Sequence, residues 1–100
     1  MYNTINDSQS VNKTPNILRL PEVLKRRGRS RSSHYSDIQE GLFVKPVLIG
    51  LRATGTPENE VNAINAARIA GMSNDDIRAL VVKLEAARKA DFIQGGRHDY

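Results

Sequence analysis

A signal that ends one helix and starts another, in the first half of the chain, constrains the fold more than any other feature. Gly28 tolerates the left-handed backbone conformation that often ends a helix, and the segment Ser30-Arg31-Ser32-Ser33 offers a hydroxyl that can cap the next one. Pro21, whose fixed φ suits a first helical turn, begins a helix that runs to Arg27, and Gly41 ends the second helix. Two short helices joined by a tight turn with glycine are the helix-turn-helix pattern, so the sequence predicts that motif.

The segment after the second helix has a different composition. Over residues 42–56, β-branched and aromatic side chains are frequent and Gly50 supplies a turn. This pattern predicts a β-hairpin, the wing of a winged helix-turn-helix. Alternating apolar residues at 17–20 predict a short extended segment before the first helix. Pro57 begins a third helix that ends by Gly71.

A last amphipathic helix is predicted over about Asn74–Lys89, behind Ser73, which starts a capping-box pattern. Its apolar face either completes the core or pairs with a second subunit. The fold class that we expect is therefore mainly α, a winged helix-turn-helix with a short β-hairpin wing and an additional C-terminal helix. The apolar positions of that helix are Ile77, Leu80, Val81, Leu84 and Ala87.

The length of 100 residues allows one modest core, so one folded unit is expected. Residues 1–15 are polar and aperiodic, and burial cannot offset the entropy of ordering them. We expect a disordered N-terminal tail at 1–15 and a winged helix-turn-helix DNA-binding domain at 16–71. We also expect a C-terminal helix at 72–91 that packs on the domain or on a second subunit, and a frayed tail at 92–100.

The composition excludes several classes of function. The chain has no cysteine and only two scattered histidines, so we expect no disulfide, no metal site and no cofactor. No nucleophile is spaced with a base, so we expect no catalytic residues and no enzyme activity. The first residues lack the pattern of a signal peptide, and no apolar stretch is long enough to span a membrane. We therefore expect a cytoplasmic, nucleoid-associated protein without a membrane partner.

Positive charge is concentrated in one part of the sequence. Residues 17–56 contain eight Lys or Arg against three acidic residues, a net charge of +5, whereas the whole chain carries +4. Basic and hydroxyl side chains crowd around the predicted turn, where guanidinium groups and a helix N-terminus suit phosphate binding. The alternative is a solvated basic loop, and the helix-turn-helix context favours double-stranded DNA. The candidate DNA-binding residues are Lys25, Arg27, Arg29, Ser30, Arg31, Ser32, Ser33, Tyr35, Ser36, Lys45 and Arg52.

The start of the second helix is where a recognition helix reaches base edges in the major groove. Arg31 is the best candidate for a guanine contact, with Ser32, Tyr35 and Ser36 beside it. Tyr35 fits equally well as a half-buried ring whose hydroxyl reaches solvent. His34 fits a packing role better than a binding role.

Charged residues elsewhere are open to two interpretations. Lys45 and Arg52 flank the predicted hairpin and suit contacts to phosphate or the minor groove, but they also fit ordinary charged strand residues. Two close pairs of carboxylates are expected to be caps and solvated faces, because no histidine or nucleophile is placed to make them an acid/base set. These pairs are Asp37 with Glu40 and Glu58 with Glu60.

Several short motifs follow one another along residues 17 to about 70: Leu18-Arg19-Leu20-Pro21-Glu22-Val23, Gly28 to Ser33, Tyr35, Glu40-Gly41-Leu42-Phe43, Lys45-Pro46-Val47, Ile49-Gly50, Arg52-Ala53, and Glu60-Val61 with Ala63. Their joint pattern resembles the AlpA family of prophage regulatory proteins. The continuation through Gly71 and the last helix resemble a subgroup with an additional C-terminal helix. The family usually has tryptophan where this chain has Thr56, and often where it has Ile64.

The resemblance implies a MerR-like winged helix-turn-helix and a DNA-binding regulator encoded on a prophage or genomic island. Some family members promote excision by controlling or assisting an integrase. The resemblance also implies which residues lie on the recognition helix and which on the wing. Arg31, Ser32, Ser33 and Tyr35 fall on the recognition helix, and Lys45 and Arg52 on the wing.

The function that we expect is sequence-specific binding of double-stranded DNA, to regulate transcription, to act as an excision (recombination directionality) factor, or both. A single domain covers only a short site, so we expect a homodimer or cooperative oligomer on DNA, with an integrase as a candidate partner. The alternative is a small basic adaptor that binds an integrase or polymerase through its C-terminal helix without specific DNA readout.

Overall fold

The computed structural model describes residues 16–96, and the side chains of residues 16–90. The expected disordered tail at 1–15 lies outside the described residues, as do residues 97–100 of the expected frayed tail. Within the described part, helices and short strands alternate along the chain. In order, the elements are β1 (Ile17–Leu18), α1 (Leu20–Arg27), α2 (Arg31–Gln39), β2 (Val47–Leu48), β3 (Thr54–Pro57), α3 (Glu58–Ile69) and α4 (Asn74–Gly96).

Helices α1 and α2 form the predicted helix-turn-helix, and its local signals act as expected. Gly28 has φ of +66° and its N–H donates to the carbonyl of Leu24 at 2.9 Å, so the left-handed stop to α1 is confirmed. Ser30 has an extended backbone, and its Oγ accepts from the N–H of Ser33 at 3.2 Å. The expected N-cap hydroxyl of α2 is therefore confirmed, and the structure identifies it as that of Ser30.

The three strands form one small antiparallel sheet in the order β1-β3-β2. The hairpin of β2 and β3 is the predicted wing, with Val47 opposite Gly55. The sheet is larger than a hairpin because the extended segment at β1 pairs with β3 on its other side, with Leu18 opposite Thr56. Phe43 and Val44 have strand-forming side chains but lie in the connection before β2, where both are buried.

The core lies where α1, α3 and α4 converge on the connection between α2 and β2. The mainly α winged helix-turn-helix with a wing and an additional C-terminal helix is confirmed. Ile64 is fully buried and Thr56 is 4% exposed, so both positions at which the resembling family has tryptophan are interior positions here. The buried apolar residues are Val23, Leu42, Phe43, Val44, Val61, Ile64, Ala67, Ile77 and Val81.

Helix α4 packs its apolar face on this same core. Ile77 and Val81 are buried, and Leu80 and Leu84 pack against the cluster from the side. The next predicted position, Ala87, is exposed, and Arg88 takes its place on the packed face. The helix continues to Gly96, beyond the predicted end near Lys89. Within the described residues, no helix is long and apolar enough to cross a membrane.

Glu60 on α3 is an interior residue rather than the solvated carboxylate that the sequence suggested. It is 3% exposed, and Arg88 of α4 donates to it from Nη2 at 2.6 Å and from Nε at 2.9 Å. The same Nη2 also donates to the carbonyl of Lys45 at 2.8 Å. The earlier interpretation of Glu60 is wrong because burial against α4 supplies it with a partner that lies 28 residues away.

Candidate nucleic-acid interface

Helix α2 has two faces of opposite character. Its outward face carries Arg31, Ser32, Tyr35 and Ser36, all of them exposed, and Tyr35 is 46% exposed. The spacing of four residues from Arg31 to Tyr35 and from Ser32 to Ser36 makes these side chains neighbours in two adjoining rows. None of the ion pairs formed within the described residues involves Arg31. The best guanine candidate is therefore a cation that stands free on the outward face of a capped helix.

The inward face of α2 is built around a buried cation. Arg27, at the end of α1, has a side chain that is only 4% exposed, and its guanidinium carbon lies 4.0 Å from the centre of the Phe43 ring. Its Nη2 donates to Asp37 Oδ2 at 2.8 Å, and its Nη1 lies 2.9 Å from Nδ1 of His34. These contacts lock the two helices of the motif together. Arg27 was a candidate for DNA binding, and here these buried contacts occupy its side chain.

His34 is 3% exposed, which confirms the packing role that its sequence position favoured. A guanidinium can only donate, so Nδ1 must accept and the proton of the neutral ring belongs on Nε2. Burial lowers the pKa of His34, and the positive charge of Arg27 lowers it further. The ring also packs on Tyr35 and Phe43, with centroids 5.3 Å and 5.1 Å away.

Asp37 is buried as well, so its interpretation as a solvated carboxylate is wrong. Arg29 donates to it from Nε at 3.0 Å and from Nη2 at 2.9 Å, in addition to the bond from Arg27. Burial by itself raises the pKa of Asp37, but the hydrogen bonds from the two arginines outweigh that effect and hold the pKa below its usual value. Arg29 is thus both a partner of Asp37 and, at 43% side-chain exposure, a surface cation.

The pKa of Arg27 is lowered by burial, and the pairing with Asp37 offsets this only in part. A lowered pKa on an arginine still leaves it charged in the range in which proteins are studied. The cluster is therefore one buried carboxylate shared by a buried guanidinium group and an exposed one. Its net charge is positive, and it lies directly beneath the outward face of α2.

The wing lies next to the N-terminal half of α2. Tyr35 and His34 line a small cavity together with Pro46 at the base of the wing and Thr54 on β3. The N–H of Ile49 donates to the carbonyl of Ala53 at 2.8 Å and closes the tip of the hairpin. Arg52 is exposed within that tip, beside Leu51, which is 96% exposed. Helix α2 and the wing thus form neighbouring parts of one surface.

Lys45 lies away from the hairpin tip. Its N–H donates to Glu85 Oε2 at 2.8 Å and its carbonyl accepts from Arg88, so α4 fixes its backbone. The side chain is exposed beside a groove that Gln39 and Arg78 also line. The sequence grouped Lys45 with Arg52, and the fold separates them.

The remaining candidates cluster around the turn of the motif. Lys25 is exposed on the last turn of α1, Ser30 is exposed, and Ser33 is half-buried. Arg26, in the same basic run, is held by Glu22 at 2.9 Å and by Glu58 at 2.7 Å, and those hydrogen bonds raise its pKa. The basic run is therefore divided into paired and free cations.

Sequence reasoning missed the role of Asp37, although a signal for it was present. His34, Asp37 and Ile38 have the i, i+3, i+4 spacing of a single helical face, and that face is the buried one. An acidic residue on a buried face requires a cationic partner. The basic run offered several such partners, and spacing alone could not select Arg27 among them.

Comparison with known proteins agrees with this geometry. The family model described as prophage CP4-57 regulatory protein (AlpA) matches residues 16–69, which cover the helix-turn-helix, the wing and α3. No significant match was found among curated proteins or among solved structures. The family match covers more than half of the chain and ends just before α4. The chain belongs to the AlpA family of prophage regulatory proteins.

Proposed function

We propose that this protein is a sequence-specific regulator that binds double-stranded DNA of a prophage or genomic island. Family membership supports a regulatory, DNA-binding role. One structural observation carries the proposal further: α2 presents polar side chains and the cation of Arg31 outward, while ion pairs to the buried Asp37 fix its opposite face. A helix held in this way presents its outward side chains in a fixed geometry, which base readout requires.

In the proposed complex, the N-terminal half of α2 enters the major groove. The guanidinium group of Arg31 donates two hydrogen bonds to the O6 and N7 atoms of a guanine. Neighbouring base edges or phosphates are contacted by Ser32, Tyr35 and Ser36. Arg52 at the tip of the wing contacts the backbone or the minor groove, in a MerR-like arrangement.

Affinity comes mainly from the backbone of the DNA. Lys25, Arg29 and Ser30 lie around the turn of the motif and Ser33 on the first turn of α2, and we assign phosphate contacts to these four residues. Lys45 is a more distant contributor because α4 holds it apart from the wing. Counterion release then makes the affinity fall steeply as the salt concentration rises.

The regulator acts on transcription, as an excision factor, or both. An excision factor bends DNA at attachment sites so that an integrase can assemble, whereas a transcription regulator leaves its site closer to straight. A single α2 covers only a short site, so binding as a homodimer or a cooperative oligomer extends it. A DNA-bending assay on attachment-site fragments and promoter fragments separates the two roles.

The adaptor hypothesis is the weaker one for this fold. It requires the apolar face of the C-terminal helix to bind an integrase or a polymerase. In this chain Ile77 and Val81 of that face are buried in the domain's own core. The part of the apolar face that Ile77 and Val81 form is therefore already occupied within the domain.

The experiment is fluorescence anisotropy of the full chain with DNA fragments from its own genomic neighbourhood and with unrelated fragments, each over a salt series. We expect one fragment to bind more tightly than unrelated DNA, and Arg31→Ala to remove that preference. The matched control is Lys83→Ala, which removes an exposed cation of α4 far along the chain from the interface. Equal binding of every fragment by the wild-type chain, or no binding, would overturn the proposal.

A further inference from the structure

A basic cleft opens beside the turn of the helix-turn-helix. Its walls come from the turn at Arg29 and from the C-terminal end of α3 at Arg68, and the start of α4 at Asn74 closes one side. The volume of the cleft is about 570 Å³, which leaves room for a phosphodiester group and its solvent. Arg68 was not among the residues that the sequence suggested for DNA binding.

The charges around the cleft do not cancel. Asp37 is the acidic residue on its wall, which Arg27, Arg29 and Arg68 also line, and these four side chains carry a net charge of +2. Arg26 also borders the cleft, but Glu22 and Glu58 neutralise it. Burial lowers the pKa of Arg27 most, and Asp37 acts in the opposite direction. The nearby positive charges of Arg29 and Arg68 lower this pKa further. Such mutual repulsion among cations is relieved by an anion.

Two arginines at the cleft retain free donors. Arg29 uses Nε and Nη2 to hold Asp37, so its Nη1 amino group remains, and its side chain is 43% exposed. Arg68 donates from Nη1 to Asn74 Oδ1 at 3.1 Å, and within the described residues its Nε and Nη2 have no hydrogen-bond partner. Asp37 and Asn74 therefore position the two guanidinium groups without using all their donors.

We propose that this cleft binds a phosphate group of the DNA backbone, with Arg29 and Arg68 as its donors. The inference rests on the proposed function. Arg29 directly precedes Ser30, the cap of α2, so a phosphate held here lies beside the N-terminus of the recognition helix. The cleft then sets the register of α2 in the groove without reading any base.

The test is the salt dependence of DNA affinity for Arg68→Gln, a substitution at an exposed residue outside the core. Loss of one phosphate contact lowers the slope of log K against log salt by about 0.9. We expect that change, with the same fold-loss of affinity on specific and on unrelated fragments. Arg68→Lys should restore most of the slope because it restores the charge.

A control variant separates the cleft from general effects. Lys83→Gln removes an exposed charge on α4 and should leave the slope unchanged. If Arg68→Gln has the same slope of log K against log salt as the wild type on all fragments, the inference is overturned.

The results distinguish a failure of this inference from a failure of the proposed function. If Arg31→Ala abolishes sequence preference while Arg68→Gln behaves as the wild type, the cleft fails alone and base readout stands. If the wild-type chain binds no DNA, both fail. A separate titration of the full chain with inorganic phosphate, followed through the arginine Nε NMR signals, tests whether the cleft is a site for free phosphate. Saturable phosphate binding there, together with an unchanged salt slope of DNA binding in Arg68→Gln, would also overturn the inference.

Discussion

Nη2 of Arg27 lies 2.8 Å from Oδ2 of Asp37, and this buried ion pair joins the two helices of the helix-turn-helix. The pair explains why a sequence with a dense basic run does not simply present all of its arginines to solvent. Arg27 holds α2 in place, and the neighbouring Arg26 and Arg29 remain at the surface.

Removal of the cation should therefore destabilise the domain. In Arg27→Met, Asp37 keeps only Arg29 as a partner, and a buried carboxylate loses part of its compensation. We expect the free energy of unfolding to fall by about 3 kcal/mol, measured by urea denaturation. Arg31→Ala, which removes an exposed arginine four residues later, should change it by less than about 0.5 kcal/mol. Equal effects of the two substitutions would contradict the account of the pair.

The difference between these two arginines shows the limit of sequence reasoning here. Both belong to the same basic run and both were assigned to DNA. The position of Phe43 and Asp37 in space decides which one is buried, and no local spacing encodes that arrangement. The caps at Gly28 and Ser30 could be predicted because each depends on bonds within a few residues.

The same distinction between local and long-range contacts applies to the β-sheet and to the carboxylate of Glu60. The wing was predictable from β-branched residues and Gly50, whereas its pairing with Ile17 and Leu18 depends on a contact between distant segments. Glu60 was misread for the same reason, because its partner Arg88 lies on another helix. Interactions that are local in sequence were recovered, and long-range pairs were not.

Stability should fall on mild acidification, because burial and then Arg27 lower the pKa of His34. In the unfolded chain a histidine has a pKa of about 6.5, so the unfolded state binds the proton more readily. The stabilisation is fully present above that pH and is lost as the pH falls toward the pKa of the folded state. His34→Gln should flatten the dependence of the unfolding free energy between about pH 7 and pH 5. An unchanged slope in this variant would assign the effect to other groups.

The contact between α4 and the rest of the domain can be tested at Arg88. Arg88→Ala leaves Glu60 buried without a cation and frees the carbonyl of Lys45. We expect a loss of about 2 kcal/mol in the free energy of unfolding. The neighbouring Lys89→Ala removes an exposed cation and should be close to neutral. If both variants unfold like the wild type, α4 is not an integral part of the domain.

The three-stranded sheet makes a prediction at Gly55. A Cβ at this position would collide with the side chain of Ile17 and lie 3.0 Å from the carbonyl oxygen of Leu18. Gly55→Ala should therefore cost about 1–3 kcal/mol by overpacking, measured by thermal or urea unfolding. Gly50→Ala is the matched control, since its Cβ would meet only Ala53 at an ordinary 3.6 Å. Equal stability of the two variants would contradict the pairing of β1 with β3.

The central claim is that Arg31 reads a guanine, and a cycle that combines Arg31→Ala with 7-deazaguanine tests it most directly. Each guanine of the best-bound fragment is replaced in turn by 7-deazaguanine, which lacks the N7 acceptor. The account predicts one position at which replacement weakens wild-type binding by about tenfold and leaves binding of the variant unchanged. Replacements that weaken both proteins equally at every position would contradict it.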